Sequence, residues 1–180
     1  LFEHEMYKLL MAQGVSAPRF AFVASAGKIT ERLLKKFGTE KMVMKVVSAH
    51  PNALHKSGVD GVKKGVEKKI DVMRAKFEAL VEDVAQKAGI RKEDIAGVLI
   101  CEQVDVAAEY FVGYLLDEQF GPFISVGRGG TNVEKAGNAV YWPAPLEGNE
   151  IEELLSKANI PPGYRSGFKK IIESLLVIIE

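Results

Sequence analysis

The stretch near residues 67–88 most constrains the fold. Its Ile70, Met73, Phe77, Leu80, Val81 and Val84 recur in three- and four-residue steps, one apolar stripe along a helix, and Gly89 stops it. A helix striped in this way must lie on an apolar surface. Two candidate surfaces flank it: residues 42–47, Met-Val-Met-Lys-Val-Val, read as a buried strand, and residues 97–104 read as another. A strand at Phe20-Ala21-Phe22-Val23, a helix from about Lys28 to Phe37 and a short strand from Gly61 to Val66 complete a β-α-β-β-α-β order. Ahead of it, residues 2–13 carry Phe2, Met6, Leu9 and Leu10 at helical spacing, with Gly14 as C-cap. Behind it come strands at about 109–117, 121–126 and 138–142, then helices near 149–158 and 166–179 separated by a Pro161-Pro162-Gly163 turn. Residues Ser48 to Gly61 are rich in turn formers and read as a loop. The order predicts an α+β (α/β) chain of two lobes with a boundary near Asp105.

Composition narrows the function classes. With 180 residues the chain can bury a core without staples. Its 24 basic and 24 acidic side chains cancel, so no cationic surplus marks a nucleic-acid binder. One cysteine, Cys101, excludes an internal disulfide framework and a cysteine-built zinc site, and fits a reducing compartment. No apolar run reaches the ~20 residues of a membrane helix, so a soluble, cytoplasmic protein with no membrane partner is expected. The first methionine is Met6, and the last seven residues, Ser174 to Glu180, are almost all apolar and end without a cap. We therefore expect a domain cut from a longer polypeptide, truncated at the C-terminus.

Several residues invite chemistry. On strand 42–47, Lys45 shares a face with Val43 and Val47, which drives an ammonium toward an apolar interior. Such a lysine must find an anion or lose its charge; the plainer alternative is a side chain that snorkels to solvent. Glu102 sits on the other strand beside Val98, Ile100 and Val104, as a partner for Lys45, a ligand contact or a solvated strand end. Gly127-Arg128-Gly129-Gly130-Thr131-Asn132 allows backbone N–H groups to converge on an anion, although most glycine-rich turns are hairpin connections. No Walker loop exists, since Gly27-Lys28 runs into Ile29 and Lys56-Ser57 follows His55, and no GxGxxG occurs. His55, on a loop, is a candidate nucleophilic carrier. His4 and His50 read as surface residues, Cys101 as a small buried hydrophobe, and Tyr141 and Trp142 as packing.

In order, these segments are more specific than any one alone. Met44-Lys45-Val46-Val47-Ser48 followed by Leu54-His55-Lys56-Ser57-Gly58-Val59-Asp60-Gly61-Val62 resembles the ATP-grasp domain of ADP-forming acyl-CoA synthetases. The opening Glu3-His4-Glu5 to Gly14-Val15, the run Val98 to Val104, Glu109-Tyr110-Phe111-Val112-Gly113, Asp117 to Pro122 and Gly127 to Glu134 match in kind and order. The resemblance covers essentially the whole chain and extends to succinyl-CoA synthetase β subunits and to the matching domain of protein acetyltransferases.

The resemblance implies two lobes, each a mostly antiparallel sheet with helices, about 16–104 forming a small lobe and 1–15 with 105–180 a larger one, with a nucleotide cleft between them. It implies ATP/ADP and Mg2+ as cofactors. Lys45 would meet phosphates, Glu102 and Val104 would line the adenine hinge, Glu109 would lie near the ribose and phosphates, and Gly129 and Gly130 would face the phosphate region. His55 would be a swinging phosphoryl carrier, and CoA-binding and active-histidine domains would be partners, with CoA and the acyl substrate bound through them, in an oligomeric enzyme. Two departures stand out. Gly58 and Asp60 exchange the aspartate and glycine that the family more often places there, and the family's magnesium ligands fall on a segment expected beyond Glu180. A non-catalytic, nucleotide-sensing module is the alternative outside enzymes.

Overall fold

The computed structural model describes residues 2–54, 56, 58–106, 108–130 and 139–179. They divide into two compact units: Leu1–Lys8 with Ala17–Asp105, and Leu9–Ser16 with Val106–Glu180. Helix α1 (Glu3–Ala12) contributes to both.

The first unit is built on a four-stranded antiparallel sheet ordered β1-β4-β2-β3, from β1 (Phe20–Val23), β2 (Lys41–Ser48), β3 (Val62–Glu67) and β4 (Ile95–Glu102). The two inner strands, β2 and β4, are apolar nearly throughout, because both faces of the sheet are covered. On one face, Met42, Met44, Val46, Val98 and Ile100 pack with Met73, Phe77, Leu80 and Val84 of helix α4 (Ile70–Ala88), the stripe read from the sequence. Gly89 closes α4 at φ +63°, a left-handed C-cap. On the other face, Val47, Leu99 and Cys101 pack with Phe2 and Tyr7 of the α1 segment and with Phe20.

Three readings change in detail. The helix expected over 28–37 is broken into a 3-10 turn (Ala26–Lys28) and the short α2 (Glu31–Leu34), whose N-cap Thr30 accepts from the Leu33 N–H at 3.2 Å. The 48–61 loop contains one helical turn, α3 (Pro51–Leu54). The α1 stripe is not Phe2, Met6, Leu9 and Leu10: Leu9 is exposed, and the buried residue is His4, at 8% exposure. The imidazole, expected at the surface, is stacked between Phe2 (5.9 Å) and Phe22 (4.7 Å). Its flat ring behaves as an aromatic plate, and burial lowers its pKa, favouring the neutral form.

The second unit holds a three-stranded antiparallel sheet, β5 (Tyr110–Asp117), β6 (Gly121–Arg128) and β7 (Val140–Pro143), in that order. Helices α5 (Gly148–Lys157) and α6 (Pro162–Ile179) close its core, where Ile124 and Val126 of β6 meet Ile151, Leu154, Leu155, Ile172 and Leu175. Pro162 opens α6 rather than forming a turn, since a first-position proline gives up an N–H that has no partner in the helix.

Gly97 fixes the centre of the first sheet. Its φ is +150°, and a Cβ there would stand 2.3 Å from the Val23 carbonyl oxygen and 2.9 Å from Ala24 Cα. We expect Gly97→Ala to cost at least about 2–3 kcal/mol, since backbone must shift to admit the methyl. Urea unfolding would show this as a lower midpoint; an unchanged midpoint would contradict the packing described.

Candidate functional site

Lys45 occupies the α1-covered face of the sheet, at the register position opposite Leu99. Strand alternation places it there, and the ring residues of α1 close the surface around it. An ammonium so placed needs an anion, and Glu3 provides it: Lys45 Nζ lies 2.5 Å from Glu3 Oε1. Lys56 Nζ takes the other oxygen, Glu3 Oε2, at 2.7 Å. The Tyr7 hydroxyl, one helical turn from Glu3, donates to Oε1 at 2.6 Å. All three charged side chains are about three-quarters covered.

Burial pushes the Glu3 carboxyl up, but hydrogen bonds from Lys45, Lys56 and Tyr7 and the Lys45 charge outweigh it and hold the pKa at about 2. Burial, followed by the bond to Glu3, raises the Tyr7 phenol, so it stays a donor. A cavity of about 460 Å³ opens beside this cluster, bordered by Glu3, Glu5, Ser48 and Lys56 among others. Glu3, Tyr7 and Lys56 were missed as site residues in the sequence. The usable signal was the lysine itself, which demands a carboxylate, with a glutamate and a tyrosine four residues apart on a helix.

Glu102 does not pair with Lys45. It lies opposite Met42, three residues from Lys45 in β2, and so on the other face of the sheet. Its Oε1 accepts from the Gly38 N–H at 2.5 Å and from Arg19 Nε at 2.9 Å. The Gly38 bond, assisted by Arg19, lowers its pKa. Val104 follows the end of β4 and is 56% exposed.

In the second unit the structure brings Glu109, Gly129 and Gly130 together. The Gly129 N–H donates to the Glu109 carbonyl at 2.7 Å. A Cβ on Gly129 would crowd the Glu109–Tyr110 backbone at 3.2 Å, and Gly130 takes φ +111°, so both positions suit glycine. His55 lies outside the described residues, as do Thr131 and Asn132. Further along the same segment, Asp60 adopts φ +52° and pairs with Lys87. A left-handed backbone of this kind is one that glycine would adopt at less cost than aspartate.

Two ammonium groups and a phenol converging on one pair of oxygens suit the oxygens of a phosphate as well as those of a carboxylate. They do not fit a metal: no three His, Cys, Asp or Glu side chains come together among the described residues. Cys101 is buried, and that burial pushes its thiol up to about 11. None of the described helices is long and apolar enough to cross a membrane.

A family model described as ATP-grasp domain matches residues 1–170. The chain belongs to the ATP-grasp family. This ATP-grasp chain is 31% identical over 156 residues to a 4-hydroxybutyrate–CoA ligase [ADP-forming] of Nitrosopumilus maritimus, covering 87% of the chain and 21% of that protein's length. It is 29% identical over 185 residues to the β subunit of acetate–CoA ligase [ADP-forming] I of Pyrococcus furiosus, covering 99% of the chain and 75% of that subunit. Among solved structures, the fold matches a dinucleotide forming acetyl-coenzyme A synthetase 1 of Candidatus Korarchaeum cryptofilum, in complex with coenzyme A and Ca-AMPCP, with TM-score 0.75. That likeness has 24% identity and covers 98% of the chain and 77% of the other. The domain thus spans about a fifth of the first relative's length and three-quarters of the second's.

The Glu3 pKa carries a stability prediction. The folded value of about 2 lies below the ordinary 4.5. The contribution is therefore complete above pH 4.5 and is lost as pH falls through about 2. We expect on the order of 2 kcal/mol from this group, discounted for its partial exposure. Glu3→Gln should be less stable at neutral pH and flatter over that acid window in urea unfolding. Identical acid profiles for the two proteins would contradict the ion-pair assignment.

Proposed function

We propose that this chain is the nucleotide-binding part of an ADP-forming acyl-CoA synthetase. The observation that carries the reading is Lys45, an inward-facing cation on an apolar strand face, in a chain whose family match runs over residues 1–170. The curated relatives named as ADP-forming CoA ligases support it. In this reading acyl-CoA, ADP and phosphate interconvert with a carboxylic acid, ATP and CoA. The phosphoryl group passes from a histidine nitrogen to the terminal phosphate oxygen of ADP; the N–P bond breaks, an O–P bond forms, and the nitrogen regains its lone pair.

Chemistry of this kind rests on positioning and charge neutralisation. Lys45 supplies a fixed cation for a terminal phosphate. Glu109 with Gly129 and Gly130 forms the second-unit segment assigned to the nucleotide, and Glu102 with Val104 the stretch assigned to the adenine. His55 is the proposed phosphoryl carrier. Mg2+ would neutralise phosphate charge when bound, and we assign it no ligand among these residues. CoA-binding and active-histidine domains, or a subunit carrying them, are the proposed partners, in an oligomeric cytoplasmic enzyme, with CoA and the acyl group selected there.

Titration calorimetry with ADP and magnesium tests the phosphate grip. Lys45→Ala should weaken binding at least about tenfold, the loss of one charge-assisted hydrogen bond. Unchanged affinity would remove Lys45 from the site. For His55, the expected result is that His55→Ala binds ADP like the parent while phosphoryl transfer falls by at least about 100-fold. Full turnover in that variant would make His55 an ordinary loop residue.

A further inference from the structure

The Lys45–Glu3–Lys56 cluster does more than neutralise one partly buried lysine. One carboxylate is shared by two ammonium groups from different elements, one per oxygen, at 2.5 and 2.7 Å. The cluster therefore carries one more positive than negative charge, and the Tyr7 hydroxyl adds a neutral donor at 2.6 Å. Three donors around two oxygens form a template that a phosphate's terminal oxygens match as well as a carboxylate's do. A doubly charged phosphate would also neutralise both lysines, which Glu3 alone does not.

We propose that Lys45 and Lys56 form a two-pronged phosphate site in which the Glu3 carboxylate is the built-in occupant that a nucleotide's terminal phosphate displaces. The proposal rests on the assignment of Lys45 to phosphate and adds Lys56 and Tyr7 as binding residues, with Glu3 as an internal competitor. A cavity of about 460 Å³ borders Glu3 and Lys56, along with Ser48 and Ala49, and opens the cluster to a phosphate from the Lys56 side. Glu5 does not replace Glu3, because its carboxylate already accepts the Phe2 N–H at 2.7 Å.

Competition of this kind is reciprocal: an internal anion lowers affinity for phosphate, and phosphate loosens the segment that carries the anion. Glu3 sits at the start of α1, so phosphate binding should loosen the first helical turn while the Tyr7–Phe20 contact holds the helix beyond it. The expected coupling is a regulatory tether between α1 and the nucleotide.

The test measures ADP binding to the full-length protein by calorimetry and amide hydrogen exchange with and without ADP. Glu3→Gln should bind ADP at least about fivefold more tightly. Lys56→Ala should bind at least about tenfold more weakly, with Lys56→Arg retaining most of the affinity. In the parent protein ADP should speed exchange at the amides of residues 5–7. If Lys45→Ala weakens binding but Glu3→Gln does not tighten it, or Lys56→Ala binds like the parent, the two-pronged site is wrong and the Lys45 grip stands. If Lys45→Ala binds like the parent, both readings fall. Should Glu3→Gln fail to fold, exchange in the parent decides: protection unchanged or increased by ADP overturns the proposal.

Discussion

A lysine carried on an apolar strand face needs an anion close by, and that requirement organises the first unit. Without a partner, the Lys45 ammonium would sit about three-quarters covered beside Val43, Val47 and Leu99, an unfavourable place for an unpaired charge. The chain answers with Glu3, delivered by a helix that begins near the N-terminus and lies across the same face. Glu3 is held there by chemistry other than its own charge. His4 stacks on Phe22, Tyr7 meets Phe20 edge-on at 5.2 Å, and together these rings fix the first turns of α1 against β1. Charge pairing and ring packing are thus two parts of one arrangement.

The same logic separates the two faces of the sheet. The face covered by α4 is apolar through Met42, Met44, Val46, Val98 and Ile100, with Glu102 at its edge, and its helix carries a long regular stripe. That face makes stability. The α1 face mixes rings, a thiol, a lysine and a carboxylate, and a cavity opens at its border. Polar groups in such a setting are conformationally specific, because each is satisfied only in one geometry. In the second unit, tight backbone approach plays the comparable part: Gly129 against Glu109, with Gly130 in a conformation closed to most side chains.

Much of this was legible in the residues. Strand periodicity placed Lys45 on an inward face, and the three- and four-residue spacing of Met73, Phe77, Leu80 and Val84 gave α4 and the surface it covers. What was not legible depends on contacts distant in sequence. Glu3 and Lys45 are 42 residues apart and Glu3 and Lys56 are 53 apart, so no local pattern announces the triad. Glu102 was a candidate partner because it too lies on an apolar strand, yet the β2–β4 register sends it to the opposite face, where Arg19 and the Gly38 N–H take it. His4 was misjudged for a related reason: an imidazole next to two glutamates reads as polar, whereas Phe2 and Phe22 treat it as a plate. The broken helix over 26–34 reflects competition from a strong N-cap at Thr30.

The decisive measurement is a crystal structure of the protein bound to a non-hydrolysable ATP analogue. The account predicts a terminal phosphate oxygen within about 3 Å of Lys45 Nζ, the distance of a charge-assisted hydrogen bond. An analogue bound with its phosphates remote from Lys45, while the lysine keeps its contact with Glu3, would contradict it.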